Sequence, residues 1–377
     1  MSIRVLHILG ELKFSGGETM LASGYQHFRE LGVDCDILSI GPTSGPFAPF
    51  LQAKGYRILN VPFSKRFKFL RGVRRVIAEG NYDIVHIHCE RAYLMMAICA
   101  VGKAPVVRTV HHLFRFDGVL RQRKTLQRAF CRRFLRVTEL NNSRSGLENE
   151  RRRYHAGGIL APNWFDDSVW RSPTPEEHSR SREALGVGAQ EFLLVSLGTN
   201  NYYKNYHAIV EAIPTLVKRL GSLKYIHVGN QGSDRPLSKL ASELGVEAHV
   251  AFAESVDSPL QHIWAADCYV MPSLEEGFGV AAIEALATGV PSVLSNRPAL
   301  CDFGDYFPGI FYVEPTTEGV IQGVSNAAAL SDEARVALRV EYAKAALDNF
   351  GSRAGVLRYV SVYRDRLAKG TLEAERR

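Results

Sequence analysis

Cysteine is the first scarcity. The six cysteines, Cys35, Cys89, Cys99, Cys131, Cys268 and Cys301, are scattered, with no CxxC pair and no zinc-like spacing. This argues against a disulfide framework and a cysteine-built metal centre, so the thiols are expected to be reduced core residues of a cytoplasmic protein. Long apolar runs are missing too. No segment reaches the roughly 18 uncharged apolar residues of a spanning helix. The best candidates, Tyr93–Val101 and Val280–Ala287, have the length of buried helices. The N-terminus carries Arg4 inside a brief apolar run and lacks a signal-peptide layout. There is no low-complexity tract, no internal repeat, and no DxD-like pair of aspartates at a strand end, so no metal is expected.

What is present is a globular composition, 46% hydrophobic and 23% charged, over 377 residues, enough for two domains. The net charge of +7 hides an asymmetry. Residues 1–153 hold 26 lysines and arginines against 12 acids, and the remainder is acidic. Much of the excess sits in Lys65, Arg66, Lys68, Arg71, Arg74 and Arg75, and in Arg121, Arg123, Lys124, Arg128, Arg132, Arg133 and Arg136. A basic half suits nucleic acid, an anionic membrane surface or an acidic substrate, and a solvated helix face accounts for it equally well. Phe67, Phe69 and Leu70 in the first cluster, and Leu126, Phe130 and Phe134 in the second, are compatible with amphipathic helices. Among partners this favours the inner face of a membrane. No nucleic-acid motif accompanies the charge, so none is expected as a partner.

Short apolar runs alternate with helical patterns, which predicts βαβ units and parallel sheets. In the first half the strands are expected at Ile3–Leu9, Cys35–Ile40, Arg57–Val61, Ile84–His88 and Val106–His111, with helices at Glu18–Leu31 and Arg91–Val101. Gly32 suits the position just past the first helix. After Pro162 the pattern restarts, with strands at Phe192–Leu197, Lys224–Val228, His249–Phe252, Cys268–Met271, Ser292–Leu294 and Ile310–Val313. Helices are expected near 205–220, 236–244, 258–266 and 280–287. The expected fold class is α/β, two tandem doubly wound Rossmann-like domains over 1–162 and 163–351. A final helix in 352–377 needs a surface to cover and is expected to return to the first domain. Ligands of such sheets sit beyond the carboxyl ends of the strands, so an interdomain cleft is the expected site.

The sharpest signal is Pro272–Asn296. A strand ends in a loop with Gly277, Phe278 and Gly279, and a helix starts at once. Backbone N–H groups at such a start favour a phosphate. Glu284 is the one charge in the apolar helix Val280–Ala287, and a carboxylate there needs donors. Sugar hydroxyls or a structural salt bridge would both serve. Glu276 lies eight positions earlier, about 12 Å at helical rise.

This segment resembles the E-x7-E signature of retaining glycosyltransferases of family 4, the group 1 transferases of GT-B fold, with Ala287–Pro291 matching that family's A-x-G-x-P turn. The resemblance implies that Glu276 lies against the donor sugar and that Glu284 bonds the nucleotide ribose. Gly198, Thr199 and Lys204 then resemble the family's phosphate loop. Lys204 stands near a helix start, where a diphosphate would relieve the conflict between its charge and the dipole. Thr199 occupies the place of the usual Arg, so a cation is missing, and Arg108 or Arg115 is the candidate replacement. Gly16 and Gly17 resemble the G-G-x-E loop that faces the diphosphate, with Glu18 one position early. His111 resembles the histidine that contacts the transferring sugar; His112 is its neighbour, and His7, His86 and His88 are expected to be structural. Gly229 resembles a residue lining the nucleotide pocket, and Asn163–Trp164 resembles the hinge turn between domains.

The function implied is metal-independent retaining transfer of a sugar from a nucleoside-diphosphate sugar, with no further cofactor, to a glycan or lipid-linked acceptor. A GT-B sugar-nucleotide epimerase and a non-catalytic partner subunit of the same fold remain as alternatives.

Overall fold

The fold was taken from a computed structural model. It describes residues 2–375 apart from Ser255 and Asp257, with side chains as far as residue 369. The chain divides into two compact units, Met1–Asp166 with Ser352–Arg377, and Asp167–Gly351.

In the first unit the strands are β1 (Ile3–Leu9), β2 (Val33–Ser39), β3 (Arg57–Asn60), β4 (Ile84–Ile87), β5 (Val106–Val110), β6 (Thr138–Asn141) and β7 (Ile159–Leu160). They form one sheet in the order β3-β2-β1-β4-β5-β6-β7, and every pairing is parallel. Its helices are α1 (Gly16–Glu30), α2 (Ala48–Lys54), α3 (Phe67–Gly80), α4 (Tyr93–Ala100), α5 (Gly118–Arg133) and α6 (Arg144–Tyr154). Alternation along the strands divides the apolar residues between two cores. Val5, Leu9, Ile84 and Val107 face one core, and Leu6, Ile8, Val85 and Ile87 face the other. Gly32 ends the first helix with φ +75°, as its position predicts.

The second unit repeats the plan with β8 (Phe192–Leu197), β9 (Leu223–Val228), β10 (Val250–Ala253), β11 (Cys268–Met271), β12 (Ser292–Ser295) and β13 (Phe311–Val313). The sheet order is β10-β9-β8-β11-β12-β13, again all parallel. Around it lie α7 (Pro175–Ala184), α8 (His207–Leu220), α9 (Pro236–Glu243), α10 (Leu260–Ala265), α11 (Val280–Ala287), α12 (Thr317–Ala328) and α13 (Asp332–Phe350). Helix α7 starts with a reciprocal cap, Thr174 bonding the Glu177 N–H and Glu177 bonding the Thr174 N–H.

The last helix, α14 (Ser352–Glu375), belongs to the first unit. Val356, Tyr359, Val360 and Tyr363 enter the same core as Met20, Leu21 and Phe28 of α1; residues 376 and 377 lie outside the described residues. Trp164 joins them. Expected from sequence in the turn between domains, it lies just before the boundary between the units at Asp166, yet its ring is 1% exposed and packs edge-on against Tyr359 at 5.0 Å. Its indole is too large an apolar surface to leave in solvent when a core lies beside it. Gly355 makes room for it, because a Cβ there would stand 2.3 Å from the indole. Replacing Gly355 by Leu is therefore expected to destabilise the first unit by about 1–3 kcal/mol, read as a lower urea midpoint.

Candidate active site

The carboxyl ends of β8, β9 and β11 carry the second unit's candidate residues. Strand β8 ends at Gly198, and Thr199, Asn200 and Asn201 lead into a short 3-10 turn, Tyr202–Lys204. The Asn201 side chain accepts from the N–H groups of Tyr203 and Lys204 and sets that turn. Asn205 follows at φ +57° and its amide donates to the carbonyls of Pro272 (3.0 Å) and Pro315 (2.9 Å). The Leu274 N–H donates to Tyr203 O at 2.7 Å. The loops after β8, β11 and β13 are thus sewn together by the Asn205 side-chain amide and one backbone N–H.

Across that seam Lys204 Nζ donates to Glu276 Oε1 at 2.6 Å, and Ser273 Oγ donates to the same oxygen at 2.8 Å. Gly229 closes the floor: its φ is +147°, and a Cβ there would lie 2.2 Å from Gly198 O, so only glycine lets the ends of β8 and β9 come this close. Gly279, at φ +96°, precedes α11, whose first N–H groups have no partner inside the helix. Phe278 was expected at the ligand. Its ring is 5% exposed and packs on Phe303 and Phe350, because an aromatic side chain beside an apolar core gains more from burial than a polar loop can offer. The backbone of Phe278 remains in the loop.

Glu284 is half-buried on α11. Burial raises the Tyr269 phenol well above its ordinary value, and Tyr206, Glu276 and Glu284 push in the same direction. Both carboxylates of the E-x7-E pair therefore act on one buried tyrosine beneath the loop. The structure thus brings Gly198, Lys204, Gly229, Glu276, Gly277, Gly279 and Glu284 to one edge of one sheet; Thr199 is exposed there.

In the first unit, Gly16 and Gly17 form the first turn of α1 rather than a loop ahead of it, with Ser15 as N-cap. Ser15 Oγ bonds the Glu18 carboxylate, and burial raises that carboxyl above its ordinary value. His111 directly follows β5. Its Nε2 is 2.9 Å from His88 Nδ1, and His88 Nε2 is 2.9 Å from His7 Nδ1. Nitrogens of His7, His86 and His88 lie within 4.8 Å of one another, close enough to suggest a metal. Hydrogen bonds account for most of them: His86 meets Tyr363 at 2.6 Å and Thr109 at 2.7 Å.

Arg108 is not available to replace the missing Arg. It is 1% exposed, donates to Glu139 at 2.8 Å and bonds Glu90. Lys124 and Arg128 join Glu90 from α5, and Arg128 also holds Glu150 at 2.5 Å. Burial opposes the charged form of Glu90, but Arg108, Arg128 and Lys124 outweigh it and hold the carboxyl below its ordinary value. At Glu139 burial prevails over Arg108 and raises it. Sequence reasoning missed this cluster; Glu139 within the strand run Thr138–Asn141 was the available signal.

Two parallel α/β units in tandem have the architecture of the GT-B fold. Residues 177–346 match the family described as Glycosyl transferases group 1, and residues 14–143 match Glycosyltransferase Family 4. The chain belongs to these group 1 glycosyltransferases and is an enzyme of that class. EpsF of Bacillus subtilis (strain 168), named as a glycosyltransferase, is 24% identical over 308 residues, 78% of this chain and 79% of its own. The lipopolysaccharide glucosyltransferase WaaG of Escherichia coli (strain K12) is 26% identical over 183 residues, 48% of each chain. In fold, HepE of Anabaena, solved in complex with UDP and glucose, superposes with a TM-score of 0.81 at 17% identity, over 96% of this chain and 99% of that one.

Substituting Arg108 by Met tests the buried cluster. It leaves Glu139 without its cation, while Lys124 and Arg128 still hold Glu90, and is expected to cost about 3–5 kcal/mol at neutral pH. Burial already raises the Glu139 carboxyl, and without Arg108 it is raised further, so the penalty for its ionised form is relieved as pH falls through that raised value toward the unfolded one. The deficit of the variant is therefore expected to shrink between pH 7 and pH 4 in urea melts.

Proposed function

We propose that the enzyme transfers a glycosyl group from a nucleoside-diphosphate sugar, UDP-linked in the first instance, to a hydroxyl of a glycan or lipid-linked acceptor, with retention and without a metal. The observation that carries this is the pair Lys204–Glu276, 2.6 Å apart, beside the glycine-bounded start of α11. An ammonium and free helix N–H groups beside one another suit a pyrophosphate, and a donor diphosphate competes with Glu276 for Lys204. That competition frees the Glu276 carboxylate to accept from sugar hydroxyls. Glu284 takes the ribose hydroxyls, while Gly198, Thr199 and Gly229 line the nucleotide. In the first unit, Gly16 and Gly17 are assigned to the diphosphate and His111 to the transferring sugar. The UDP preference rests on the complex of HepE, and a lipid-linked acceptor on the lipopolysaccharide substrate of WaaG.

In the transfer step the acceptor oxygen forms a bond to the anomeric carbon on the face from which the diphosphate departs. The bond from that carbon to the phosphate oxygen breaks with its electron pair going to the diphosphate, which also receives the acceptor's proton. Lys204 and the α11 N–H groups stabilise the charge gathering on the leaving group. Lys204→Ala and Glu284→Gln are each expected to lower kcat about 10²–10³-fold with melting temperature unchanged, and a chelator is expected to leave the rate intact. Near-native turnover by both variants would overturn the assignment.

The same reading places the enzyme as a cytoplasmic protein, peripheral on the inner face of a membrane. No helix among the described residues is long and apolar enough to cross one. The support lies in how α5 is oriented. Lys124 and Arg128, expected on its surface, turn inward to the glutamates, because those buried carboxylates require cations. The apolar side faces out: Val119 is 80% exposed, Leu126 71% and Phe134 67%, with Arg121, Arg123 and Arg133 around them. An anionic lipid surface satisfies both the rings and the cations. Leu126→Glu is expected to reduce co-sedimentation with phosphatidylglycerol vesicles about tenfold or more, without slowing transfer to a soluble acceptor.

A further inference from the structure

The row of histidines below the first unit's edge has a consequence for His111, and it rests on the assignment of that residue to the transferring sugar. Parity along the strands puts His7 on β1, His86 and His88 at the end of β4, and Thr109 and His111 at the end of β5 on one face of the sheet. That face is covered by α1 and α14. The register pairs His7 with His86, and His86 with Val107, so His88 and His111 step outward toward the carboxyl edge. The result is a diagonal row, His7 Nδ1 to His88 Nε2 and His88 Nδ1 to His111 Nε2, each 2.9 Å. Stacking accompanies it: the His88 ring centroid lies 4.1 Å from that of His86 and 5.2 Å from that of His111.

Both nitrogens of His88 are engaged, so the protons along the row are coupled. A neutral imidazole has one N–H and one lone pair. Only two arrangements satisfy both contacts with neutral rings. In one, every donor points outward: His7 Nδ1–H to His88, and His88 Nδ1–H to His111 Nε2. In the other every donor points inward, and the row ends at an Nε2–H on His7. The Nε2 atom of His7 is buried without a hydrogen-bond partner, beside the ring of Phe28. A buried N–H without an acceptor is rarer and costlier than an unfilled lone pair. The outward arrangement is the one that leaves only a lone pair there.

We infer that His7 and His88 are positioning residues that hold His111 as a neutral imidazole with its proton on Nδ1, presented as a hydrogen-bond donor to an oxygen of the donor sugar. The tautomer of an imidazole is set by the bond its other nitrogen makes, and here that bond is the one from His88. Burial lowers His7 and His111 to about 3 and His86 and His88 well below the ordinary value, with His112 and Arg108 adding to the effect at His111. The row is accordingly uncharged at neutral pH, and His111 donates a hydrogen bond without delivering a proton. His86 takes no part in the row. Held by Tyr363 and Thr109, it is the plate against which His88 stacks.

The test is the nitrogen spectrum of the full chain labelled with ¹⁵N-histidine, free of substrate. The expected result is a protonated, pyrrole-type Nδ1 and a bare, pyridine-type Nε2 on His111. His88→Phe is expected to release the ring to the Nε2–H form and to lower kcat about ten- to hundredfold, with donor KM little changed. His88→Asn, whose amide nitrogen stands where Nδ1 stood, is expected to restore both tautomer and turnover in large part. A bare Nδ1 on His111 in the native chain would overturn the inference, whether or not the variants fold. So would an unaltered His111 spectrum in a folded His88→Phe. A confirmed Nδ1 proton together with undiminished transfer by His111→Ala leaves the proton row standing and overturns the assignment of His111 to the sugar.

Discussion

A strand covered on both faces has no water to turn to, so every polar side chain it carries needs a partner in the protein. Both sheets of this enzyme are parallel and covered on both sides, and that requirement organises nearly all of the chemistry. In the first unit it produces the histidine row on one face and the Arg108–Glu90–Glu139 cluster on the other side of the same strand, β5. In the second it leaves polar groups at the strand ends, where glycine turns and a helix start can receive a ligand. The carboxyl edge of each sheet is where the constraint relaxes, since loops there have solvent or substrate as an alternative partner.

The charge asymmetry acquires a different meaning under this constraint. A surplus of cations in the first half reads in sequence as a basic surface. Part of it is internal: Arg108 and Arg128 are almost wholly buried, stacked over Tyr93 and Tyr154 and matched to three glutamates. Burying α5's cations forces its apolar side outward. The outward face is therefore more apolar, and the remaining arginines around it more sparsely distributed, than the sequence suggests. By contrast α3 follows the ordinary pattern, with Phe69, Val73 and Ile77 inward and Lys68, Arg71, Arg74 and Arg75 outward. Two helices of similar composition thus face opposite ways because only one lies over buried carboxylates.

Much of the architecture was legible because parallel strands advertise themselves as short apolar runs. The expected strands at Ile3–Leu9, Phe192–Leu197 and Cys268–Met271 coincide with β1, β8 and β11. Legibility failed where a strand is not apolar. Thr138–Asn141 contains Glu139 and Asn141, and β7 is two residues long; neither carries enough periodicity to register. The burial of Trp164, just before the boundary between the units, was not legible for a related reason, since only the return of α14, almost two hundred residues later, makes the pocket that receives it. In the candidate site the loops were visible from glycine and the charged pair. The seam made by Asn205 and Leu274 was not, because hydrogen bonds onto the backbone carbonyls of distant loops leave no mark in composition.

The departure at Thr199 is best understood through Glu276. With two cations in a phosphate loop, one can stay paired with the glutamate while the other waits for the ligand. On the proposed donor assignment, Lys204 alone would serve both, and Ser273, which also bonds Glu276, would hold that carboxylate when the lysine is drawn away. A hydroxyl is a weaker partner than an ammonium, so on the same assignment the carboxylate would be more available to accept from the sugar once the diphosphate is bound. On that assignment, a single cation would hold phosphate less strongly than two while tying the readiness of Glu276 to the arrival of the donor. Of the two candidate replacements, Arg108 cannot relieve that dependence, because moving it would strand a buried glutamate, whereas Arg115 is exposed on the segment after β5.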